Sequence, residues 1–193
     1  RIKNLYEQGH YETWIDITHV IKPNEDYDPD RIGSKHKKYL SCFFAGPIRA
    51  AGGTATALTV IIADYVRLKM GYDKYDSQEI EIKRFQTEVQ DYHERITNLQ
   101  YLPSALEIDF LIKNIAIEIN GDPTEKIEVS NYKDLARVET NRIRGGVCLV
   151  VSELAQKAPK LYKNLSKWAK EFDLNWDFMK EFFGIETKGV FRV

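Results

Sequence analysis

The stretch from Phe43 to Leu58, FFAGPIRAAGGTATAL, is the feature that most constrains the fold of this chain. It leaves an aromatic, β-prone segment, passes three glycines and a proline, and enters an alanine-rich run. A continuous apolar run bounded by glycine predicts a buried strand at 38–46, and the apolar run at 54–71 predicts a helix that ends at Gly71. Because apolar residues cover most of its circumference, this helix is expected to be central.

Apolar spacing predicts the other elements. Alternation at 11–21 is typical of a half-buried strand, and the charged segment at 22–38, with two prolines, predicts a long exposed loop. A helix capped by Asp76 or Ser77 is expected to carry a seam of apolar residues spaced three and four apart, namely Ile82, Phe85, Val89, Tyr92, Ile96 and Leu99.

The sequence pattern in the second half of the chain predicts more helix than strand. Pro103 and Ser104 open a shorter helix to about Asn114, and two short strands are expected at 115–119 and 126–130. The remaining predicted helices are a buried one at 145–156, one restarted by Pro159, and a last one through Trp176 and Phe183. The sequence therefore predicts an α+β fold, a helix-rich mixed domain with a small sheet. We divide it into a strand and charged loop at 1–37, the domain at 38–183 and a tail at 184–193.

The composition of the chain limits the classes of function that it can have. The 193 residues, 43% of them hydrophobic, suffice for a sizeable core. No apolar run approaches the roughly 20 residues of a membrane span, and no signal peptide is evident, so we expect a cytoplasmic protein with no membrane partner. Because the first residue is Arg rather than Met, we expect part of a longer protein. A net charge of −1 means that any nucleic-acid contact must come from local basic clusters.

Two such clusters occur. Residues 31–49 include five basic residues and no acidic ones, and residues 157–170 include five lysines and no acidic ones. On a helix those lysines, Lys157, Lys160, Lys163, Lys167 and Lys170, fall within an arc of roughly 140°. The opposite side would be filled by Leu161, Leu165, Trp168 and Phe172. Such a face can meet a polyanion, or it can simply be solvated.

The glycine corner is a candidate phosphate site. Backbone N–H groups at a helix start can hold an anion, Arg49 could add positive charge, and Thr54 could cap the helix or bind phosphate. The corner fails the nucleotide-loop pattern, which needs a lysine where this chain has Gly53. The alternative is that Gly52 and Gly53 only permit tight packing.

A second glycine pair follows ARVETNRIRGG at 136–146, which contains four residues suited to phosphate or base-edge contacts, namely Arg137, Asn141, Arg142 and Arg144. Glu139 is a possible partner for one of the arginines. A structural ion-pair network is therefore an equal alternative to nucleic-acid binding.

No catalytic, cofactor-binding or metal residues are indicated. Cys42 and Cys148 lie in apolar runs and are expected to be buried thiols, and the four histidines lack metal-ligand spacing. The calcium-like start DYDPDRIG fails because Arg31 stands where a glycine is needed.

Four strings, FAGPIRAAGGTATALTVIIADYVR, LQYLPSALEI, NGDPTEKIEVSNYKDLARVETNRIRGG and KAPKL, resemble the N-terminal region of the large subunit of archaeal family D DNA polymerase. They follow the order of that family from about Tyr39 to Leu161. The resemblance implies a piece of a magnesium-dependent replicative polymerase whose catalytic carboxylates lie far downstream. It implies a DNA-binding and assembly domain similar to a KH module. Implied partners are DNA, a small proofreading exonuclease subunit, the remainder of the large subunit and a sliding clamp.

The family's motifs carry over eight residues of this chain, namely Arg49, Gly52, Gly53, Thr54, Arg142, Arg144, Gly145 and Gly146. With Lys157, Lys160, Lys163 and Lys167, the first six form our predicted nucleic-acid-binding set. The charged loop at 22–38 is longer than the family's hairpin, and the tail has no counterpart. Two alternatives stay open: a purely structural subunit-interaction module, and an enzyme that binds nucleotide phosphates at 46–54.

Overall fold

The computed structural model describes residues 15–22, 37–44, 53–172, 174 and 176–182. Within these residues the elements in chain order are strands β1 (Ile15–Lys22) and β2 (Lys37–Phe44), helices α1 (Gly53–Lys69), α2 (Glu79–Arg95) and α3 (Ala105–Asn114), strand β3 (Glu118–Gly121), and helices α4 (Gly145–Phe172) and α5 (Phe178–Phe182). The predicted α+β class, rich in helix, is confirmed. The KH-like topology stays a prediction.

The three strands form one sheet in the order β1-β2-β3. β1 is antiparallel to β2, with Ile15 opposite Phe44, whereas β3 is parallel to β2, with Ser41 opposite Glu118. A parallel neighbour requires a crossover connection, which α1, α2 and α3 supply here. Because β1 pairs with β2, the sheet extends across the boundary that we drew at residue 37.

The core lies between the sheet and the helices. α4 is central to it, and one face of its first half is fully buried at Val147, Val151 and Leu154. Cys42 and Cys148 are also fully buried, as predicted, and burial raises the pKa of Cys42 to about 12. Among the described residues, no helix has the length and apolarity that a membrane crossing requires.

Helix ends follow local chemistry. Gly71 has φ +68°, its N–H donates to Leu68 O, and the N–H of Tyr72 donates to Arg67 O. These two bonds form the Schellman motif, and they confirm Gly71 as the stop of α1. Ser104 caps α3 as expected, because its Oγ accepts from the N–H of Glu107 at 3.2 Å.

The predicted cap of α2 is wrong. The helix begins after Gln78, whose N–H donates to Glu81 Oε2 at 2.8 Å. Ser77 instead donates its hydroxyl to the carbonyl of Ile112 on α3, so tertiary contact determines its role. The helix also ends at Arg95, before Leu99, which is nevertheless buried.

Three further differences concern the second half. Residues 126–130 form no strand but only a single bridge between Glu128 and Arg142. Pro159 does not start a helix, since α4 runs unbroken through it. Trp176 precedes α5 rather than lying within it, and Phe183 lies outside the described residues.

Candidate nucleic-acid interface

The start of α1 lies against the middle of α4. A Cβ atom on Gly53 would lie 1.8 Å from Glu153 Oε2, so the glycine permits a close approach of this carboxylate. Lys157 Nζ lies 3.8 Å from the same oxygen, and Lys160 Nζ donates to Thr54 Oγ1 at 3.4 Å. A carboxylate at the helix start opposes binding of a phosphate at Gly53 itself.

The lysines of α4 form part of a surface beside this junction. Lys160 and Lys163 are exposed and Lys157 is half-buried, while the side chain of Lys167 lies outside the described residues. Arg49 and Gly52 also lie outside the described residues. The structure therefore joins Gly53, Thr54, Lys157 and Lys160 in one place.

The apolar side of the lysine helix is only partly buried. Leu161 and Leu165 lie in the core as predicted, but Trp168 is 39% exposed and Phe172 is 38% exposed. By helical spacing the four residues share one side of α4, and only the first two of them are buried. Phe172 packs edge-on against the ring of Tyr65 on α1, with 5.3 Å between the ring centres.

Arg144 occupies a different environment from the lysines. It is 2% exposed, and its Nη2 donates to Glu88 Oε2 on α2 at 2.8 Å. Its backbone N–H donates to Glu88 Oε1 at 2.6 Å, and its Nη1 donates to Asn120 Oδ1 at 3.0 Å. The guanidinium is therefore internal, which corresponds to the ion-pair alternative left open by the sequence.

Arg84 extends this network to the segment at 122–144, which we call the connecting segment. Its guanidinium, fully buried, pairs with Glu88 and donates to three backbone carbonyls, those of Tyr132, Thr140 and Arg142. Nearby, Asp91 Oδ2 accepts the N–H of Ser130 at 2.6 Å. Buried carbonyls need partners, and α2 supplies them where the connecting segment has no regular structure.

The connecting segment also holds its shape locally. Tyr132 and Asp134 have φ of +54° and +56°, a region that non-glycine residues adopt only when surroundings hold them there. Asn141 supplies such support, because its Nδ2 donates to Asp134 Oδ1 and its Oδ1 accepts the N–H of Asp134, both at 2.8 Å. Arg142, partly exposed, donates Nε to Glu125 O at 2.6 Å. The side chains of Asn141 and Arg142 thus stabilise the connecting segment through contacts within it.

A second polar cluster lies where β3 approaches the start of α2. Arg137 pairs with Glu81 at 2.9 Å and lies over the ring of Tyr75, whose hydroxyl donates to the same Glu81. Burial raises the pKa of Glu81 and also that of Glu118 on β3. No group of three or more histidine, cysteine or acidic residues is arranged to hold a metal in the described part of the chain.

The predicted site residues are not all brought together. Arg144 directly precedes α4, and Lys160 lies 16 residues later, which is about 24 Å along a helix axis. Our predicted set of site residues omits Glu88 and Arg84. The sequence did carry a signal for Glu88, which lies three residues after Phe85 and four before Tyr92, on the predicted apolar seam of α2. A charged side chain at such a position requires a buried partner.

Comparison with known proteins gives a consistent result. Residues 21–185 match the family model described as DNA polymerase II large subunit DP2, N-terminal. The chain is 53% identical over 154 residues to the DNA polymerase II large subunit of Nanoarchaeum equitans, covering 79% of this chain and 12% of that protein. It is 46% identical over 171 residues to the protein of that name from Methanothermobacter thermautotrophicus, covering 88% of this chain and 15% of the relative.

A third relative, the DNA polymerase II large subunit of Pyrococcus abyssi, is 45% identical over 155 residues, which are 80% of this chain and 10% of the relative. The chain thus spans a small fraction of the length of each of these relatives. The family model covers most of the chain, including the glycine corner, the connecting segment and the lysine helix. The chain therefore belongs to the family described as DNA polymerase II large subunit DP2, N-terminal.

Proposed function

We propose that this chain is a DNA-binding and assembly domain of the large subunit of an archaeal family D DNA polymerase. The contact between Lys160 and Thr54 carries the proposal, because it joins the lysine face of α4 and the start of α1 into one surface. The names of the relatives, DNA polymerase II large subunits, support DNA as the ligand.

The proposed contacts are to the phosphodiester backbone. Exposed Lys160 and Lys163 present ammonium groups, and Lys167 and Arg49 belong to the same proposal on sequence grounds. Each phosphate neutralised by a lysine releases condensed counterions, so affinity falls with salt. The buried network of Arg84, Glu88 and Arg144 would act from within, by fixing the connecting segment.

The activity of the whole polymerase belongs to the same proposal. Nucleotidyl transfer would use magnesium and carboxylates outside this chain, whose own role is noncatalytic. The proposed partners are the remainder of the large subunit, a small proofreading exonuclease subunit and a sliding clamp.

DNA-binding titration of the chain at several salt concentrations tests the proposal. We expect binding at low salt that weakens steeply, with each lysine contact contributing about 0.9 to the slope of log affinity against log salt. Lys160→Ala should reduce that slope by about 1. The matched control is Lys113→Ala on α3, where Lys113 pairs with Asp109. Absence of binding at low salt, or affinity independent of salt, would contradict the proposal.

A purely structural subunit-interaction module remains the second candidate. Its support is the set of large apolar side chains exposed on several helices, of which Leu106 on α3 is 65% exposed and Ile62 on α1 is 57% exposed. Replacing Leu106 with Ala would then abolish assembly with the remainder of the polymerase and leave DNA affinity unchanged. If the chain is instead a DNA-binding domain, replacing its lysines should abolish DNA binding and leave assembly with the remainder of the polymerase intact.

A further inference from the structure

We propose that the outer side of α1 and the end of α4 form an interface with the remainder of the polymerase large subunit. This inference rests on the proposed function and deepens its assembly part, because it names the surface and its occupant. The surface, which we call the apolar face, consists of Leu58, Thr59, Ile62 and Val66 on α1 and Trp168 and Phe172 on α4.

The outer side of α1 is uncharged over most of its length. Leu58, Ile62 and Val66 recur every four residues, and Thr59 lies three residues before Ile62, so the four share one side of the helix. Asp64, the only charged residue from 53 to 66, is buried. A helix with one face in solvent normally places charged and polar residues on that face. The composition of α1 is therefore that of a helix covered on both sides.

The apolar face continues onto α4. By helical spacing, Trp168 and Phe172 share the side of α4 on which Leu161 and Leu165 are buried, yet both rings are exposed. The ring of Phe172 packs against Tyr65 of α1, so the exposed parts of the two helices adjoin. Permanent protein interfaces resemble a domain core cut in half. The passage from buried leucines to exposed rings on one side of α4 is such a cut.

Exposed apolar side chains elsewhere have a different setting. Leu106 on α3 is exposed, but Asp109 and Lys113, one and two turns later on the same side of the helix, form an ion pair at the surface. Single apolar side chains among charged ones are ordinary on a protein surface, whereas contiguous apolar patches mark contact sites. We therefore assign the contact to the apolar face rather than to α3.

The occupant follows from the chemistry of the face and from the length of the relatives. Residues 53–66 of α1 include no lysine or arginine for a phosphate backbone. Depletion of charge and enrichment in aromatic rings are typical of the centre of a protein interface. Because the chain spans a small fraction of each relative, most of a large subunit lies outside it. The inferred occupant is an apolar, uncharged segment of that remainder.

Labelling of one introduced thiol tests the inference. The chain's own two cysteines are fully buried, so Ile62→Cys adds an accessible thiol against a low background. The rate of maleimide labelling at position 62, read from peptide masses, is compared between this chain alone and the intact large subunit. Since Ile62 is 57% exposed, we expect rapid labelling in the chain alone. Labelling in the intact subunit should be slower by roughly tenfold or more, because buried thiols are inert.

Two further variants complete the design. Ile80→Cys is the matched control, since Ile80 is 46% exposed on α2 and lies outside the apolar face, and it should be labelled equally fast in both proteins. Thr59→Cys, a nearly isosteric change on the apolar face, shows whether the loss of the Ile62 side chain itself opens the interface. Rapid labelling of both Ile62→Cys and Thr59→Cys in the intact subunit overturns the inference.

The other occupants give different results. Slow labelling of Ile62→Cys in the chain alone overturns the inference, because a second copy or another segment of this chain would then cover the face. Protection that appears only after addition of the small exonuclease subunit also overturns it. These measurements contain no DNA. Their failure therefore leaves salt-dependent DNA binding standing, and a failure of DNA binding does not alter the labelling rates.

Discussion

At the scale of single residues, the effect of replacing a glycine depends on which atoms the added Cβ would meet. A Cβ on Gly53 would meet the end of the flexible Glu153 side chain, which can move aside. A Cβ on Gly121 would lie 2.4 Å from the backbone carbonyl oxygen of Phe44, on the paired strand β2. That oxygen can move only if β2 and β3 separate.

We therefore expect Gly121→Ala to destabilise the fold by more than about 2 kcal/mol, as strained or overpacked sites do. Urea denaturation gives the free energy of unfolding. Gly71→Ala is the matched control, because nothing lies within 4 Å of its Cβ position and only the left-handed φ opposes it, at a cost of about 1 to 2 kcal/mol. Equal stability of Gly121→Ala and the unmodified chain would refute the packing argument.

Glu118 gives a prediction about pH. Burial raises its pKa above the ordinary value of 4.5, so the folded state holds the proton more readily than the unfolded state. The stabilisation that proton binding gives the folded state is fully present below pH 4.5, and it is lost as the pH rises through the folded-state pKa of Glu118. Glu118→Gln, neutral throughout, should raise the melting temperature more near neutral pH than at mildly acidic pH. If the melting temperatures of Glu118→Gln and of the unmodified chain changed with pH in parallel, the raised pKa of Glu118 would be contradicted.

At the scale of elements, helix ends repeat a simple rule: a polar side chain satisfies backbone groups that the helix leaves unpaired. Ser104 and Glu107 satisfy each other's N–H groups at the start of α3. At the start of α2, the Glu81 carboxylate accepts the N–H of Gln78. Local sequence identified the first cap but not the second, since Gln is an uncommon cap residue.

Ser104→Ala should lower the free energy of unfolding by about 1 kcal/mol, because it removes the acceptor for the N–H of Glu107. Asp76→Ala serves as the control, since Asp76 is exposed and lies before α2 without capping it, and its effect should stay within about 0.5 kcal/mol. Chemical denaturation of both variants checks the prediction. A larger loss from Asp76→Ala than from Ser104→Ala would reverse our assignment of the caps.

At the scale of the whole molecule, Glu88 links parts that are distant in sequence. Its carboxylate on α2 accepts from Arg84 on the same helix and from Arg144 at the start of α4. Arg84 in turn holds carbonyls of the connecting segment. The segment at 122–144, with no helix or strand in it, is therefore ordered by charges buried in the core.

Removal of one member of this network should be costly. We expect Glu88→Gln to destabilise the protein by about 3 to 5 kcal/mol, because two buried guanidinium groups lose their counter-charge. The double variant Glu88→Leu with Arg144→Met should cost less than the sum of its single changes. Glu79→Gln, which breaks the exposed pair with Lys113, should cost no more than about 1 kcal/mol.

Hydrogen exchange supplies a second readout for the same variants. If the network orders the connecting segment, Glu88→Gln should increase the exchange of its backbone amides more than that of α3. A small loss of stability comparable to that of Glu79→Gln, with unchanged exchange at 122–144, would show that the network does not hold the segment.

The sequence by itself determined the type and approximate place of most elements, the strand-to-helix corner, the stop at Gly71, the cap at Ser104 and the family. These depend on neighbouring residues, whose periodicity and backbone preferences are readable locally. Tertiary structure decided which faces are covered. Arg144 is internal because Glu88 faces it from another helix, and α4 continues through Pro159 because packing on both sides of the proline holds it helical. Each depends on what lies opposite a residue in space, which spacing along the chain does not specify.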